Sequence, residues 1–256
     1  MVVLSFFTQD YLALDTTPTL ANYREAATDP IYRELLLRSL GIAGLVTLVT
    51  VLLAFPIAYY VSFRVRPERK SLWLFLITIP FWTSYLIRVF LWKVILGFNG
   101  VINASLMELG MISEPITAIL YNPAAVVITL SHAFAPFAIL PIFVALERID
   151  RSLLEASRDL GESRATTFLR VTLPLAMPGL VAAALIVFIP TVGDYVTPRL
   201  VGGPGGLMIA NMIQVQFLKL NNAPLGAALA VLAMAAVTVL SLMLLAATLR
   251  WLRVRQ

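Results

Sequence analysis

Five apolar runs, each long enough to cross a hydrocarbon core of about 30 Å as an α-helix, dictate what this chain can fold into. They are Ser39 to Phe63, Leu72 to Leu96, Ala124 to Leu146, Leu175 to Val196 and Leu225 to Leu249, and the first and last hold no charged residue. Inside a bilayer the backbone must satisfy its own N–H and C=O groups, which leaves helices or a closed barrel. The runs are continuous and lack the alternation of barrel strands, so the expected fold is an all-α integral membrane protein, a polytopic bundle of five transmembrane helices. Composition agrees: 60% of the residues are hydrophobic and 13% are charged, more apolar surface than a soluble domain can bury. Without cysteine, disulfides, thiolate metal sites and cysteine nucleophiles are excluded.

The net charge of +5 becomes informative once it is divided between the two sides of a membrane. Arg64, Arg66, Arg69 and Lys70 lie between the first two runs, five arginines (148, 151, 158, 164 and 170) between the third and fourth, and Arg250, Arg253 and Arg255 at the end. These alternate connections hold 12 of the 19 basic residues against six acids, and everything else sums to −1. Lysine and arginine are retained on the cytoplasmic side during insertion, so the C-terminus is expected inside and the N-terminus outside. The expected layout is an extracytoplasmic segment over 1–38 and a transmembrane domain over 39–256, with a cytoplasmic loop over 147–174.

That loop carries the clearest functional signal. Leu146, Ile149, Leu153, Leu154, Ser157 and Leu160 fall at helical spacings on one face, with Glu147, Arg148, Asp150, Arg151, Glu155, Arg158 and Asp159 opposite. Glu147 and Arg151 are spaced for an i,i+4 ion pair. Gly161 ends the pattern, a second short helix is expected from Glu162 to about Val171, and Pro174 near the start of the fourth span. Amphipathic charge alone describes many solvated connectors. Here, however, Glu155-Ala156-Ser157, three residues, Gly161, nine residues and Val171-Thr172-Leu173-Pro174 stand at set intervals. This spacing resembles the cytoplasmic coupling loop of bacterial ABC-importer permeases. The resemblance implies two short helices that dock in a cleft of an ATP-binding subunit, with Glu155, Ala156, Ser157, Arg158, Leu160, Gly161, Leu173 and Pro174 as coupling residues. Glu155 and Arg158 would meet polar groups of that subunit, while Leu153, Leu154 and Leu160 fill its cleft.

Other stretches extend the likeness. Pro80-Phe81-Trp82-Thr83-Ser84-Tyr85-Leu86-Ile87-Arg88 and the run from Ile189 through Gln214 resemble spermidine/putrescine permeases. Phe6-Phe7-Thr8-Gln9-Asp10-Tyr11 is similar to the start of the outer loop that follows a first helix in those proteins. The chain therefore looks like one transmembrane subunit of a type I ABC importer, nearest the polyamine class. Such a resemblance implies a bacterial inner membrane location, a second permease subunit, identical or different, ABC ATP-binding subunits and an extracytoplasmic solute-binding protein. It implies a small cationic solute such as spermidine or putrescine, or another small organic solute or metal ion. ATP would be used by the partner, with no cofactor in this chain and no nucleic acid among its partners. The usual first helix of six is missing from the sequence, leaving a misassigned start or a lost helix as the two explanations.

Candidate pathway residues are few. A polyamine favours carboxylates and aromatic faces, which points to Asp194, at the end of the fourth run, and Tyr195 beside it. Pairing of Asp194 with Arg199, or capping of a helix, is the structural alternative. His132, the one histidine, lies within the third run, where ionisable residues are functional candidates by default, unless it bonds a neighbouring helix. Arg88, about 25 Å from Ser71 along an uninterrupted helix, either snorkels to headgroups or lines the pathway. The glycines at 202, 203, 205 and 206 read as a flexible hinge, and Leu207 to Gln214 as a short helix. They are no phosphate loop, since no Gly-Lys-Ser/Thr follows. An ATP-independent secondary transporter or channel, the alternative function, would need buried acidic or histidine relays. An enzyme would need a nucleophile with its base, or a metal cluster. The sequence offers neither, so no catalytic and no metal-ligating residues are expected.

Overall fold

The computed structural model describes residues 1–10 and 13–254. Tyr11 of the N-terminal stretch and Arg255 of the C-terminal basic cluster lie outside the described residues. The elements run β1 (Thr8–Asp10), β2 (Ala13–Asp15), α1 (Ala21–Thr28), α2 (Pro30–Phe63), α3 (Pro67–Thr78), α4 (Tyr85–Ile95), α5 (Val101–Glu108), α6 (Pro123–Glu147) and α7 (Arg151–Asp159). They continue as α8 (Arg164–Thr167), α9 (Leu173–Val192), α10 (Val196–Val201), α11 (Gly203–Gly206), α12 (Ile209–Leu218) and α13 (Ala223–Val254). The architecture is helical as expected, with one addition, the antiparallel pairing of β1 with β2.

Among the described residues, α2, α6, the continuous helix Arg164–Val192 and α13 are long and apolar enough to cross a bilayer. Of these α6 is the most enclosed, 61% buried along its most apolar stretch against 17% for α13, whose side chains the rest of the described chain leaves largely uncovered. α2 begins at Pro30 rather than Ser39. Proline suits a first helical position because it has no N–H to leave unpaired, and Asp29 accepts the next amide, from Ile31, at 2.8 Å.

Two runs depart from single rods. In the second, α3 ends at Thr78, a 3-10 turn covers Ile79–Trp82, and Thr83 and Ser84 are extended, with ψ of 148° and 136°. Pro80 withdraws a helix donor just before this break. The 25 Å rise reckoned from Ser71 to Arg88 assumed an unbroken helix and does not apply. The helix of the fourth run ends at Val192, and three residues separate it from α10.

Contacts divide the chain into two compact units. The first comprises Met1–Val46, Ser84–Leu130 and Ile189–Val239. In it, Asn22 donates to the carbonyls of Ser5 (3.0 Å) and Phe7 (2.6 Å), tying α1 to the N-terminal turn. Gln9 accepts the amide of Ala223 at 3.1 Å, the first residue of α13. α12 is held to the N-terminal part of α2 by the Ile209 amide on Ser39 Oγ (2.7 Å) and by Gln216 donating to Tyr32 (3.1 Å). α12 starts two residues later than the expected Leu207, because Met208 is extended and its amide donates to the Asn211 side chain at 3.0 Å. The Asn103 sequon position is buried, its side chain accepting the Ile116 amide at 2.9 Å.

The glycine-rich segment is not a flexible hinge. Gly202 and Gly206 are buried, and a Cβ on Gly202 would stand 2.6 Å from the Pro198 carbonyl oxygen. Gly203 has φ +59°, and a Cβ there would stand 2.2 Å from the Tyr121 carbonyl oxygen. Glycine is required at 203 for close backbone approach and a left-handed conformation.

The second unit comprises Thr47–Thr83, Ser131–Phe188 and Leu240–Gln256. α6 and α9 meet at backbone distance in it, since a Cβ on Gly179 would lie 2.4 Å from Ala145 Cβ and 2.6 Å from the Pro141 carbonyl oxygen. Small residues permit such close helix contacts where there is no hydrophobic drive between helices in lipid.

Candidate coupling site in the charged loop

The loop folds as two helices joined by a tight left-handed turn. Asp150 caps α7 by accepting the Ser152 amide at 2.9 Å. This backbone bond, followed by the Ser152 side chain, holds the Asp150 carboxyl below the usual carboxylate range. At the other end the Gly161 amide donates to the Arg158 carbonyl (2.8 Å) and the Glu162 amide to the Ser157 carbonyl (3.1 Å). With Gly161 at φ +82° this is a Schellman cap, the termination expected from the sequence. Ser163 then caps α8, accepting the Thr166 amide at 3.2 Å.

Three expectations for this loop are corrected. Leu146 and Ile149 do not share a face with Leu153 and Leu160, because α6 stops at Glu147 and α7 starts at Arg151. Leu146 and Ile149 are buried, whereas Leu153 is 48% and Leu160 84% exposed. For the same reason Glu147 and Arg151 are not one helical turn apart on a common helix. Glu147 instead accepts from Lys70 and from Ser62 Oγ, both at 2.6 Å, and Arg151 donates to the Ser62 carbonyl at 3.4 Å. The second helix does not end near Val171. α8 continues through a π turn over Phe168–Thr172 directly into α9, the Leu173 amide reaching back to the Phe168 carbonyl. The ladder thus widens just before Pro174, which has no N–H to contribute.

The two helices are linked by side chains as well. Ser157 and Thr167 hydroxyls lie 2.9 Å apart, and Arg170 pairs with Glu162 at 2.8 Å. Phe168 stands edge-on to Phe55 (5.6 Å between ring centroids) and Tyr59 (6.4 Å) of α2. Glu155, Ala156, Arg158 and Leu160 are all exposed on α7 or its cap, while Leu173 and Pro174 are half-buried in the first turn of α9. Between α2 and the loop helices lies a cavity of about 330 Å³, whose lining includes Arg64, Arg151, Glu155, Arg158, Arg164 and Phe168. Sequence reasoning counted Arg64 and Arg164 only as topological charge and missed Phe168. An aromatic inside an amphipathic segment was the one available signal.

Residues 44–254 match the family described as "Binding-protein-dependent transport system inner membrane component". The chain belongs to that family. The spermidine/putrescine transport system permease protein PotB of Escherichia coli is 40% identical over 225 residues, which is 88% of this chain and 81% of that protein. PotB of Haemophilus influenzae is 38% identical over 232 residues, 90% of this chain and 80% of that one. The fold is shared with a chain of a bacterial ABC transporter involved in the import of the acidic polysaccharide alginate, at a TM-score of 0.73 and 17% identity, covering 97% of this chain and 87% of the other.

In this inner membrane component the remaining candidate residues are distributed as follows. Asp194 is buried and caps α10, accepting the amides of Val196 (2.9 Å) and Thr197 (3.4 Å) through Oδ1, while Oδ2 accepts the Tyr85 hydroxyl at 2.6 Å. That hydroxyl also lies 2.7 Å from Thr197 Oγ1. Arg199 donates to Gln214 at 3.4 Å. Tyr195 is exposed, and its carbonyl accepts from Asn211 at 2.7 Å. His132 is exposed on α6. Arg88 is 7% exposed, enclosed by protein. Asp194 and Tyr195 belong to the first unit and His132 to the second. Among the described residues no three His, Asp or Glu side chains are grouped to hold a metal ion.

Proposed function

We propose that this chain is a transmembrane subunit of an ATP-driven, binding-protein-dependent importer that carries a polyamine, spermidine or putrescine, across the inner membrane. The observation that carries this reading is the 40% identity to a spermidine/putrescine permease over 88% of the chain. In it, residues 147–174 and the C-terminus face the cytoplasm and the N-terminus faces outward, which the distribution of lysine and arginine supports. α7 and its exposed Leu160 dock on an ATP-binding subunit, and a second permease subunit and an extracytoplasmic binding protein complete the assembly. ATP is hydrolysed by the partner, and the chain itself has no catalytic site and needs no cofactor.

The work of this subunit is coupling. ATP binding shifts the membrane helices only by as much as its docking free energy differs between two conformations. A rigid path from dock to membrane is therefore required. The Gly161 cap, the Ser157–Thr167 contact and the unbroken helix Arg164–Val192 support one, since no flexible linker separates α7 from a membrane-spanning rod. Asp194, Tyr195 and His132 are the proposed solute contacts, with Asp194 acting through its charge while it caps α10.

Deleting the gene should abolish ATP-dependent uptake of radiolabelled putrescine or spermidine, and returning it should restore uptake. Unchanged uptake of both amines would overturn the substrate assignment. Solute or ion flux by the purified chain without an ATPase would point to the secondary-transporter alternative instead.

A further inference from the structure

The cavity beside the coupling loop is lined by four arginines, Arg64, Arg151, Arg158 and Arg164, against a single carboxylate, Glu155. Arg151 spends one N–H on the Ser62 carbonyl. Among the described residues, the side chains of Arg64, Arg158 and Arg164 have no hydrogen bond or ion pair with the chain. Four positive charges are thus gathered around an open space of about 330 Å³ with one carboxylate, Glu155, among them. Guanidinium forks match the oxygens of a phosphate, and several of them converging on one space are the usual means of holding one.

The aromatic part of the lining narrows the choice of ligand. It includes Tyr59 and Phe63 from the end of α2, together with Phe168, and Phe63 is the last residue of that membrane helix. The end of a membrane helix is where lipid headgroups are met, and aromatic and cationic side chains both favour that depth. We infer that this cavity is a binding site for a phosphate-class anion, presented by an acidic phospholipid headgroup or free in solution, held by Arg64, Arg158 and Arg164. Because Arg158 lies on α7 and Arg164 opens α8, an anion bound there ties the two loop helices to the end of α2. The inference stands on this geometry and does not depend on which solute is carried.

The test uses the full chain purified in detergent, with native mass spectrometry reading retained phosphatidylglycerol against phosphatidylcholine, and a thermal-shift series with inorganic phosphate. Wild type should prefer phosphatidylglycerol, and the Arg64→Gln/Arg164→Gln variant should bind it about tenfold or more weakly, as two charges are removed. Arg66→Gln/Arg69→Gln removes the same amount of charge, all of it from the connection that holds Arg64, without touching the cavity lining, and should bind like wild type. Arg64→Lys/Arg164→Lys, which keeps the charge, should recover part of the loss and guards against misfolding. Stabilisation of wild type by phosphate alone would assign the site to a soluble anion, and a response to the lipid alone would assign it to the headgroup. The inference fails if both Gln pairs weaken lipid binding equally. It also fails if the cavity pair binds lipid and phosphate like wild type and loses only co-purification of an ATP-binding partner, since the cavity would then hold an acidic side chain of that partner.

Discussion

A substitution series at Gly161 tests whether the loop works by its geometry. Gly161 sits at φ +82°, and a Cβ there would meet no atom within 4 Å, so alanine brings only a conformational cost. That cost is about 1–2 kcal/mol for an L-residue in the left-handed region. It shifts the balance between capped and uncapped loop by about 5- to 30-fold. Asparagine tolerates the region better and should cost less. Proline cannot adopt it, because its ring holds φ near about −65°. It also removes the N–H that Gly161 donates to the Arg158 carbonyl at 2.8 Å, so the cap is lost outright. ATP-dependent uptake of radiolabelled putrescine should therefore fall in the order glycine, asparagine, alanine, proline, with the proline variant inactive. Membrane abundance, read by immunoblot, should be the same for all four. A Gly161→Pro variant that transports like wild type would show that the turn transmits nothing.

Further expectations follow from other side chains. Glu155 is exposed and its side chain has no partner among the described residues, so Glu155→Lys should leave thermal stability within about 0.5 kcal/mol of wild type while abolishing uptake. Gly203→Ala combines φ +59° with a 2.2 Å approach to the Tyr121 carbonyl oxygen, and should lower the unfolding temperature more than Gly161→Ala does. Tyr85→Phe removes the hydroxyl bonded to Asp194 at 2.6 Å, and should destabilise by about 1.5–3 kcal/mol in denaturation measurements. The Asp150 carboxyl is held below its ordinary value in the folded loop, so its cap contributes fully above the unfolded pKa and is lost as pH falls through the lower, folded value. Hydrogen exchange at the start of α7 should accelerate across that acid window in wild type and not in Asp150→Asn, which caps without titrating.

Part of the fold of the candidate coupling site was legible because its signals are local. Gly161 was read as the end of the first loop helix from its residue type and place in the pattern, while the caps by Asp150 and Ser163, equally local, went unread. The end of the second loop helix was misread because Pro174 looked like a boundary. The π turn that lets α8 run into α9 has no sequence signature as plain as a proline. Glu147 was assigned to Arg151 on local spacing, yet its partners are Lys70 and Ser62, 77 and 85 residues away along the chain.

Hydropathy, which sums over many residues, was enough to set the helical class and the number of apolar runs. Contacts between distant segments were decided only by tertiary packing. The cap that Asp194 places on α10 is local and was among the readings of the sequence, but its bond from Tyr85 is not, and the supposed hinge at Gly203 turned out to be a seat for the Tyr121 backbone. The physical reason is range: a helix closes its hydrogen bonds within four residues and so can be read from its own segment. A counter-ion or a close backbone approach is supplied by whichever segment the fold brings near.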